Sequence, residues 1–423
     1  MREMKDSGAK YIGDIPESWL ADKAKYHLKR SIEKNHEFAV VLSLYREYGV
    51  LPKDSRDDNH NVTSEDTSKY LFVKKGNFVI NKMKAWQGSM AVSDFEGIVS
   101  PAYYVYIFID NSLDKKYFHH LLRNKAYTPE FRRLSGGIRE GQWDLPEDAF
   151  NNILILVPPL EEQKAIADFL DKKCGEIDEI SGLIEKQIET LEQYKRSMIT
   201  EAVTKGLNPG VALKDSGIEW IGDVPEHWDV TKNRYLFQKK KEIVGANWEN
   251  TQLLSLTKKG IIEKDIDEGG GKQPGSFATY QLVEKGDIML CLFDLDVSAV
   301  FSGLSSLSGM ISPAYKRFVC NNGLLNRYYA YYFDAVFVGR HYKLYSKNLR
   351  YTVDDDGFDS IFSLVPPLEE QKAIADFLDK KCGEIDEIIK DKQAQLEKID
   401  AYKKSLIYEY VTGKKEVLVS EAN

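Results

Sequence analysis

The 423-residue chain is 43% hydrophobic and 12% aromatic, enough for real cores, which excludes wholesale disorder. With 58 Lys+Arg against 66 Asp+Glu the formal charge is -8, which excludes a generically basic nucleic-acid binder but leaves room for a sequence reader with local basic patches. Cys174, Cys291, Cys320 and Cys382 show no CxxC spacing and read as reduced thiols of a cytoplasmic protein, and no apolar run approaches the ~18–20 residues of a membrane span.

Met1 to Asp6 carries no apolar run, so no signal peptide is expected. Asp6-Ser7-Gly8 then leads into Tyr11-Ile12-Gly13-Asp14-Ile15-Pro16-Glu17-Ser18-Trp19. A first body, 1–157, follows, with strands expected at 70–73, 77–81 and 103–109 and a helix at 115–124. Lys82, Lys84, Trp86 and Gln87 share one loop; Arg132, Arg133, Arg139 and Gln142 surround Gly136-Gly137. Basic and amide side chains interleaved with aromatics on glycine-rich loops suit DNA, phosphates giving position and base edges specificity. The plain alternative is a solvated charged face. His119-His120 has no partner ligands at metal-binding spacing.

The strand expected at 153–157 is broken by Pro158-Pro159, and a long helix is expected over 158–205. Glu161 and Glu162 put acid in its first turn, where the helix dipole favours it. A heptad seam is read through Ile177, Ile180, Ile184, Gln187, Leu191, Tyr194 and Met198. At ~1.5 Å per residue the rod is about 65 Å long, with Gly175 and Gly182 as soft spots for a kink. Gly206, Asn208 and Pro209 end it. Glu161, Glu162 and Gln163 either cap the helix or face a partner.

A second body, 206–364, brings strands expected at 287–291 and 315–319 and a helix at 324–333. Lys343, Lys347, Asn348, Arg350 and Tyr351 stand where the first body has its arginine cluster, and this recurrence brings the DNA reading level with the solvated face. Asp354-Asp355-Asp356 is either a cation site or a solvated turn. A second rod, 365–412, repeats the seam through Ile385, Ile388, Lys392, Gln395, Ile399, Tyr402 and Leu406, with Glu369, Glu370 and Gln371 at its start, and 413–423 form a C-terminal tail. Formal charge is +1 over 1–157, -4 over 158–205, -2 over 206–364 and -3 over 365–423, so the acid sits mainly in the rods.

The chain is written twice. Val157 to Ile180 and Val365 to Ile388 are identical over 24 residues, at an offset of 208. Asp215-Ser216-Gly217 and Trp220-Ile221-Gly222-Asp223-Val224-Pro225-Glu226-His227-Trp228 repeat the opening motif, and Ser312-Pro313-Ala314-Tyr315 repeats Ser100-Pro101-Ala102-Tyr103. A period near 210 is too long for a solenoid and means two tandem copies of one domain-plus-tail unit. The tails begin identically while the bodies diverge, which reads as a fixed connector carrying exchangeable bodies. The expected fold class is α+β/α: two globular α/β bodies separated by two long helices that pair as an antiparallel coiled coil, in a pseudo-two-fold tandem repeat. No GxxxxGK[ST] loop and no Asn/Asp-Pro-Pro-Tyr/Phe motif occurs, and no catalytic or metal site is expected.

The twice-used Pro-Pro-Leu-Glu-Glu-Gln-Lys-Ala-Ile-Ala-Asp-Phe-Leu block (158–170, 366–378) and the twice-used Asp-Ser-Gly to Trp motif resemble the specificity subunit of type I restriction-modification systems. The resemblance spans essentially the whole chain. It implies two target-recognition domains, each reading one half of a gapped DNA site, and two conserved helical spacers. It implies two modification (methyltransferase) subunits that bind S-adenosylmethionine, and restriction (motor-nuclease) subunits that use ATP and Mg. No cofactor is expected in this chain itself. The competing readings are a coiled-coil scaffold that binds only protein, a stand-alone nuclease using Asp265, Asp267 or Asp354 with magnesium, and an inactive cassette.

Overall fold

The computed structural model describes the chain except for residues 1, 37, 47, 57–62, 65, 138–142, 258–259, 266–274, 297, 299, 347–350 and 418–423. It divides into two compact units, 1–184 with 394–423, and 185–393. Each unit holds one body, part of the helix Leu160–Lys205 and part of the helix Leu368–Val411. No helix of the described residues is long and apolar enough to cross a membrane.

In the first unit a hairpin pairs Met4–Asp6 with Asp14–Pro16, and Leu20–Lys23 pairs with Leu154–Val157. A four-stranded sheet runs Leu28–Ser31, Tyr103–Phe108, Phe78–Asn81, Met90–Val92 in spatial order. Two further pairs, Leu71–Val73 with Gly97–Val99 and Leu42–Tyr45 with Gly49–Pro52, enclose a small apolar core that includes Leu42, Leu44, Val50, Val79 and Val105. The helices Lys115–Arg123 and Tyr127–Leu134 cover the sheet with Tyr117, Phe118, Leu121, Tyr127 and Phe131, all buried. Asp114 caps the first of these helices, its side chain accepting from the Lys116 and Tyr117 amides.

The second unit repeats this order strand for strand. Its sheet runs Phe237–Lys240, Lys316–Cys320, Ile288–Leu290, Ser302–Leu304, and its helix is Asn326–Val338. Every pairing between these strands in both units is antiparallel. The bodies are therefore of α+β kind, which corrects the α/β expectation. Antiparallel strands can be joined by a tight hairpin, as Leu42–Tyr45 is to Gly49–Pro52, whereas parallel strands need a crossover of a dozen or more residues.

The opening motif explains itself here. Asp6 and Asp215 each accept from the backbone amide two residues on, at 2.9 Å, which sets the turn. Trp19 and Trp228 are fully buried, and their indole N–H groups donate to Glu162 at 2.9 Å and Glu370 at 3.0 Å. A rod starts on each tryptophan and another ends on it. Gly413 (φ +70°) and Gly206 (φ +76°) lie against Trp19 and Trp228, where an added Cβ would meet the ring at 3.2 Å. The buried Tyr117 hydroxyl donates to the Val411 carbonyl (3.2 Å) and that of Tyr328 to the Val203 carbonyl (2.9 Å), so each satisfies an end carbonyl of a rod.

Within the first unit Phe169 packs on Tyr410 (4.5 Å between ring centroids) and Lys403 donates to both oxygens of Asp178. Within the second, Lys392 donates to Gln187 and Lys195 to both oxygens of Asp386. In each unit the partner numbers fall on one helix as they rise on the other. Of the expected seam, Ile177, Ile184, Leu191, Met198, Ile385, Ile399 and Leu406 are buried or half-buried. It is wrong at its alternate positions: Ile180 is 50% exposed, Tyr194 and Tyr402 60% and Ile388 45%. The inward positions there lie one residue later, at Ser181, Ile188, Lys195, Ile389, Leu396 and Lys403. The seam steps by four and then three, not three and then four. Lys195 and Lys403 disguise this in the sequence, because a lysine stem lies along a seam while its ammonium reaches an acid at the edge.

Candidate nucleic-acid interface

In the first unit the strand Phe78–Asn81 ends in a loop and a single 3-10 turn, Ala85–Gln87, closed by Gly88 in the left-handed conformation (φ 81°). The Trp86 indole N–H donates to the Met83 carbonyl at 3.2 Å, which holds the ring across the turn. Its ring lies 5.5 Å from that of Trp143, and the Arg132 guanidinium sits 5.8 Å over Trp143. The Lys82 carbonyl accepts from the Leu145 amide at 3.0 Å, and Gly136 and Asp144 exchange both backbone hydrogen bonds. The Lys82 loop and the segment around Gly136 are thus stitched together, though some 50 residues apart in sequence. Lys84 and Arg132 are exposed; Lys82, Trp86 and Gln87 are half-buried. Arg133 is held by Glu130 through two hydrogen bonds of 2.8 and 2.6 Å, which spends its fork within one helix turn. Arg139 and Gln142 lie outside the described residues. Trp143, which joins Trp86 to Arg132, was not among the expected residues; its place beside Gln142 and near the glycine pair was the signal for it.

The second unit fills the corresponding positions differently. Lys343 pairs with Asp296 at 2.5 Å and sits 4.1 Å over the Tyr351 ring, so these two expected residues meet. The Asp296 carboxylate holds the Lys343 ammonium pKa above its usual value. Tyr351 has φ +46°, a left-handed conformation uncommon for a bulky residue, and its carbonyl accepts from the Leu295 amide. Lys347, Asn348 and Arg350 lie outside the described residues. The first unit therefore presents an aromatic pair with an arginine, and the second a lysine neutralised by an aspartate.

The rod starts separate into two kinds of residue. Gln163 and Gln371 are fully buried, which corrects their assignment as partner-docking residues. Gln163 accepts from the Asp114 amide (2.7 Å) and donates to the Ser112 and Pro158 carbonyls. Gln371 accepts from the Leu325 amide (2.8 Å) and donates to the Pro366 carbonyl. Each glues a rod to the start of a body helix, where backbone amides are otherwise orphaned. Glu162 and Glu370 serve the tryptophans, and only Glu161 and Glu369 face out, each paired with the lysine three residues on.

The histidine pair and the aspartate run have structural duties. The His119 ring accepts from the Val92 amide, and burial pushes its pKa down to about 3. His120 meets Asp171 at 2.8 Å; that hydrogen bond, joined by Lys116, holds the Asp171 carboxyl at about 2. Asp354 is exposed and caps the helix Asp355–Ser360 through the Gly357 amide (2.7 Å), so the run forms a solvated helix start. Asp267 lies outside the described residues.

Residues 10–193 match the family model described as the type I restriction modification DNA specificity domain. The type I restriction enzyme MjaVIII specificity subunit of Methanocaldococcus jannaschii is 27% identical, over 95% of this chain and 93% of its own length. The putative type I restriction enzyme MjaX specificity subunit of the same organism is 24% identical over 95% of both. Among solved structures, a chain from a study of complex assembly and conformational transition of the type I R-M system superposes with a TM-score of 0.68 at 13% identity, covering 95% of this chain and 99% of that one. At that identity the superposition speaks for the fold alone.

Proposed function

We propose that this chain, which shares the sequence family and the fold of type I restriction-enzyme specificity subunits, is the DNA-specificity subunit of such a complex. The observation that carries this reading is a duplicated frame bearing unequal loops. Trp19 and Trp228, Glu162 and Glu370, Gln163 and Gln371, and Tyr117 and Tyr328 make the same contacts in the two units. The loops at Lys82–Trp86 and around Lys343 keep only a backbone stitch (Leu145 amide to Lys82 carbonyl, Val353 amide to Leu292 carbonyl) and a cation over a ring, while the side chains that do this differ. A frame that keeps its joints while its exposed loops diverge is suited to reading two different half-sites of one duplex.

On this reading 1–157 and 206–364 are the two recognition domains, 158–205 and 365–412 the helical spacers, and 413–423 a terminal tail. The opposed partner numbers along the two long helices, in each unit, support an antiparallel coiled coil whose length sets the gap between half-sites. Two methyltransferase subunits carrying S-adenosylmethionine, and restriction subunits using ATP and Mg, supply the chemistry, while this chain is non-catalytic. Much of the phosphate neutralisation falls to those partners, since this chain carries a charge of -8. The four free cysteines, three of them buried, suit a reducing cytoplasmic location.

Adenine-methylation mapping tests this, in a host carrying the chain with its methyltransferase subunit and in the same host without the chain. A gapped two-part motif that appears only with the chain is the expected result. A stable complex that methylates no chain-dependent motif sinks the reading in favour of an inactive cassette. Absence of any complex favours the protein-only scaffold.

A further inference from the structure

Another element of the first body carries an exposed arginine and an exposed tyrosine and has no role in the joints described above. The strands Leu42–Tyr45 and Gly49–Pro52 form a short two-stranded ribbon, with Tyr45 opposite Gly49. Leu42, Leu44 and Val50 anchor it in the small core. Its tip, with Gly49 at φ +79°, exposes Arg46 and Tyr48, the latter by 60%. Arg56, arriving from beyond the second strand, lays its guanidinium 4.1 Å over the Tyr48 ring and 5.6 Å over the Tyr45 ring. The Tyr45 hydroxyl donates to the Lys53 carbonyl at 3.3 Å, which fixes that ring.

Arg123 holds the tip from below. One of its nitrogens donates to the Arg46 carbonyl and the other to the Met90 carbonyl at 3.2 Å, tying the ribbon to the helix and to the four-stranded sheet. A purely solvated turn has no need of such a brace. The second body has a ribbon at the same place, Leu254–Thr257 with Gly260–Glu263, with Gly260 at φ +94°. The residues between its strands are Lys258 and Lys259, which lie outside the described residues. Basic residues thus stand between the strands of both ribbons although the bodies have diverged around them.

We infer that the Leu42–Pro52 ribbon is a DNA-reading element of the first body, with Arg46, Tyr48 and Arg56 facing the duplex. This rests on the proposed function and adds the residues that carry out the reading. The major groove admits a two-stranded ribbon; arginine reads guanine there with two parallel hydrogen bonds, and aromatic faces meet thymine methyl groups. Arginine both lies over aromatic faces and carries a planar fork of donors that matches a base edge, so a cation–ring cluster is suited to such reading.

The test uses the full chain assembled with its methyltransferase subunits, in the parent and in Arg46→Ala, Arg46→Lys and Tyr48→Ala forms, with methylation mapping and salt-titrated DNA binding. Arg46→Ala and Arg46→Lys are expected to cost about tenfold or more in base preference at one or two positions of one half-site, while the other half-site keeps its sequence. Arg46→Ala, which also loses the charge, is expected to lower the slope of log affinity against log salt by about one. Should Arg46→Ala fail to assemble, Arg46→Lys and Tyr48→Ala carry the same test. Unchanged motif and salt slope in variants of a parent that does methylate a gapped motif overturn the ribbon's role. A parent with no chain-dependent motif overturns instead the reading on which the inference rests.

Discussion

The two units solve the same packing problems with different chemistry, and the differences follow a pattern. At the joints between body and rod the side chains are the same or nearly so. One shell out they are exchanged for others of equivalent reach. Asp171 is held by Lys116 and His120, while its counterpart Asp379 is held by Arg327 and Tyr331 (2.7 Å to the hydroxyl). The turn before the strand Phe78–Asn81 is closed by Asn77, accepting from the Lys74 amide at 2.8 Å, and the turn before Ile288–Leu290 in the other unit by Asp287, accepting from the Glu284 amide at 2.6 Å. Residues that hold the frame are constrained by two partners at once. Residues that serve one partner are free to change together with it.

The sharpest way to break this comparison lies at Asp287. Its carboxylate is 4% exposed and meets Arg317, also 4% exposed, at 2.6 Å, and Arg317 further donates to the Leu282 carbonyl. Asn77 needs no such partner, and Val105 stands where Arg317 does. Arg317→Val strands a buried charge and is expected to cost ~3–5 kcal/mol, and Asp287→Asn is its companion single change. The double variant Asp287→Asn, Arg317→Val writes the first unit's pair into the second and is expected to recover most of that loss. Denaturant unfolding of the full chain measures both. Strict additivity of the two single changes would falsify the exchange.

A smaller effect separates the units by pH. His119 is pressed into its neutral form, with a pKa of about 3, whereas Ala330 fills its place in the second unit. A histidine with a depressed folded pKa binds fewer protons than the unfolded chain between pH ~6.5 and 3. Its contribution is therefore complete above pH ~6.5 and is lost as pH falls toward 3. At pH 4.5 the loss is roughly 1–2 kcal/mol, with allowance for the ring's partial exposure to water. His119→Asn keeps an acceptor for the Val92 amide without the titration. An acid scan of unfolding should show a shallower decline in this variant, and identical scans would remove His119 from the account.

The strands rich in β-branched and aromatic residues were legible in the sequence, such as 77–81 and 103–109, and so were the rods, whose ends carry proline and glycine. The seam was legible only in half its positions. Adjacent Ile388 and Ile389 offered both registers, and Lys195 and Lys403 looked too polar to face inward. The loop pairing of Trp86 with Arg132 was visible only as two separate clusters, because Trp143 and the backbone exchange between Gly136 and Asp144 arise from folding. The ribbon at 42–52 gave little sign of itself. Its strands are four residues long, and the Arg-Glu-Tyr between them lacks the Asn-Gly or Asp-Gly that marks a tight hairpin.

The rods allow the mildest test, because their shared frame carries one unshared glycine. Gly182 in the first helix stands where the second has Lys390, and the sequence marked it as a place to kink. The helix runs through it from Leu160 to Lys205. Gly182 is exposed, and an added Cβ meets nothing within 4 Å. Its conformational freedom therefore costs helix stability with no packing return. Gly182→Ala is expected to stabilise the first unit by about 0.5–1 kcal/mol, read as a rise in the midpoint of thermal unfolding with the circular-dichroism signature of the fold unchanged. If the glycine instead supplies a bend that a DNA-bound complex needs, the same variant will melt higher but methylate its gapped motif more slowly. Comparison with Gly175→Ala, which also meets nothing within 4 Å, tells a bend at this one position from softness shared along the rod.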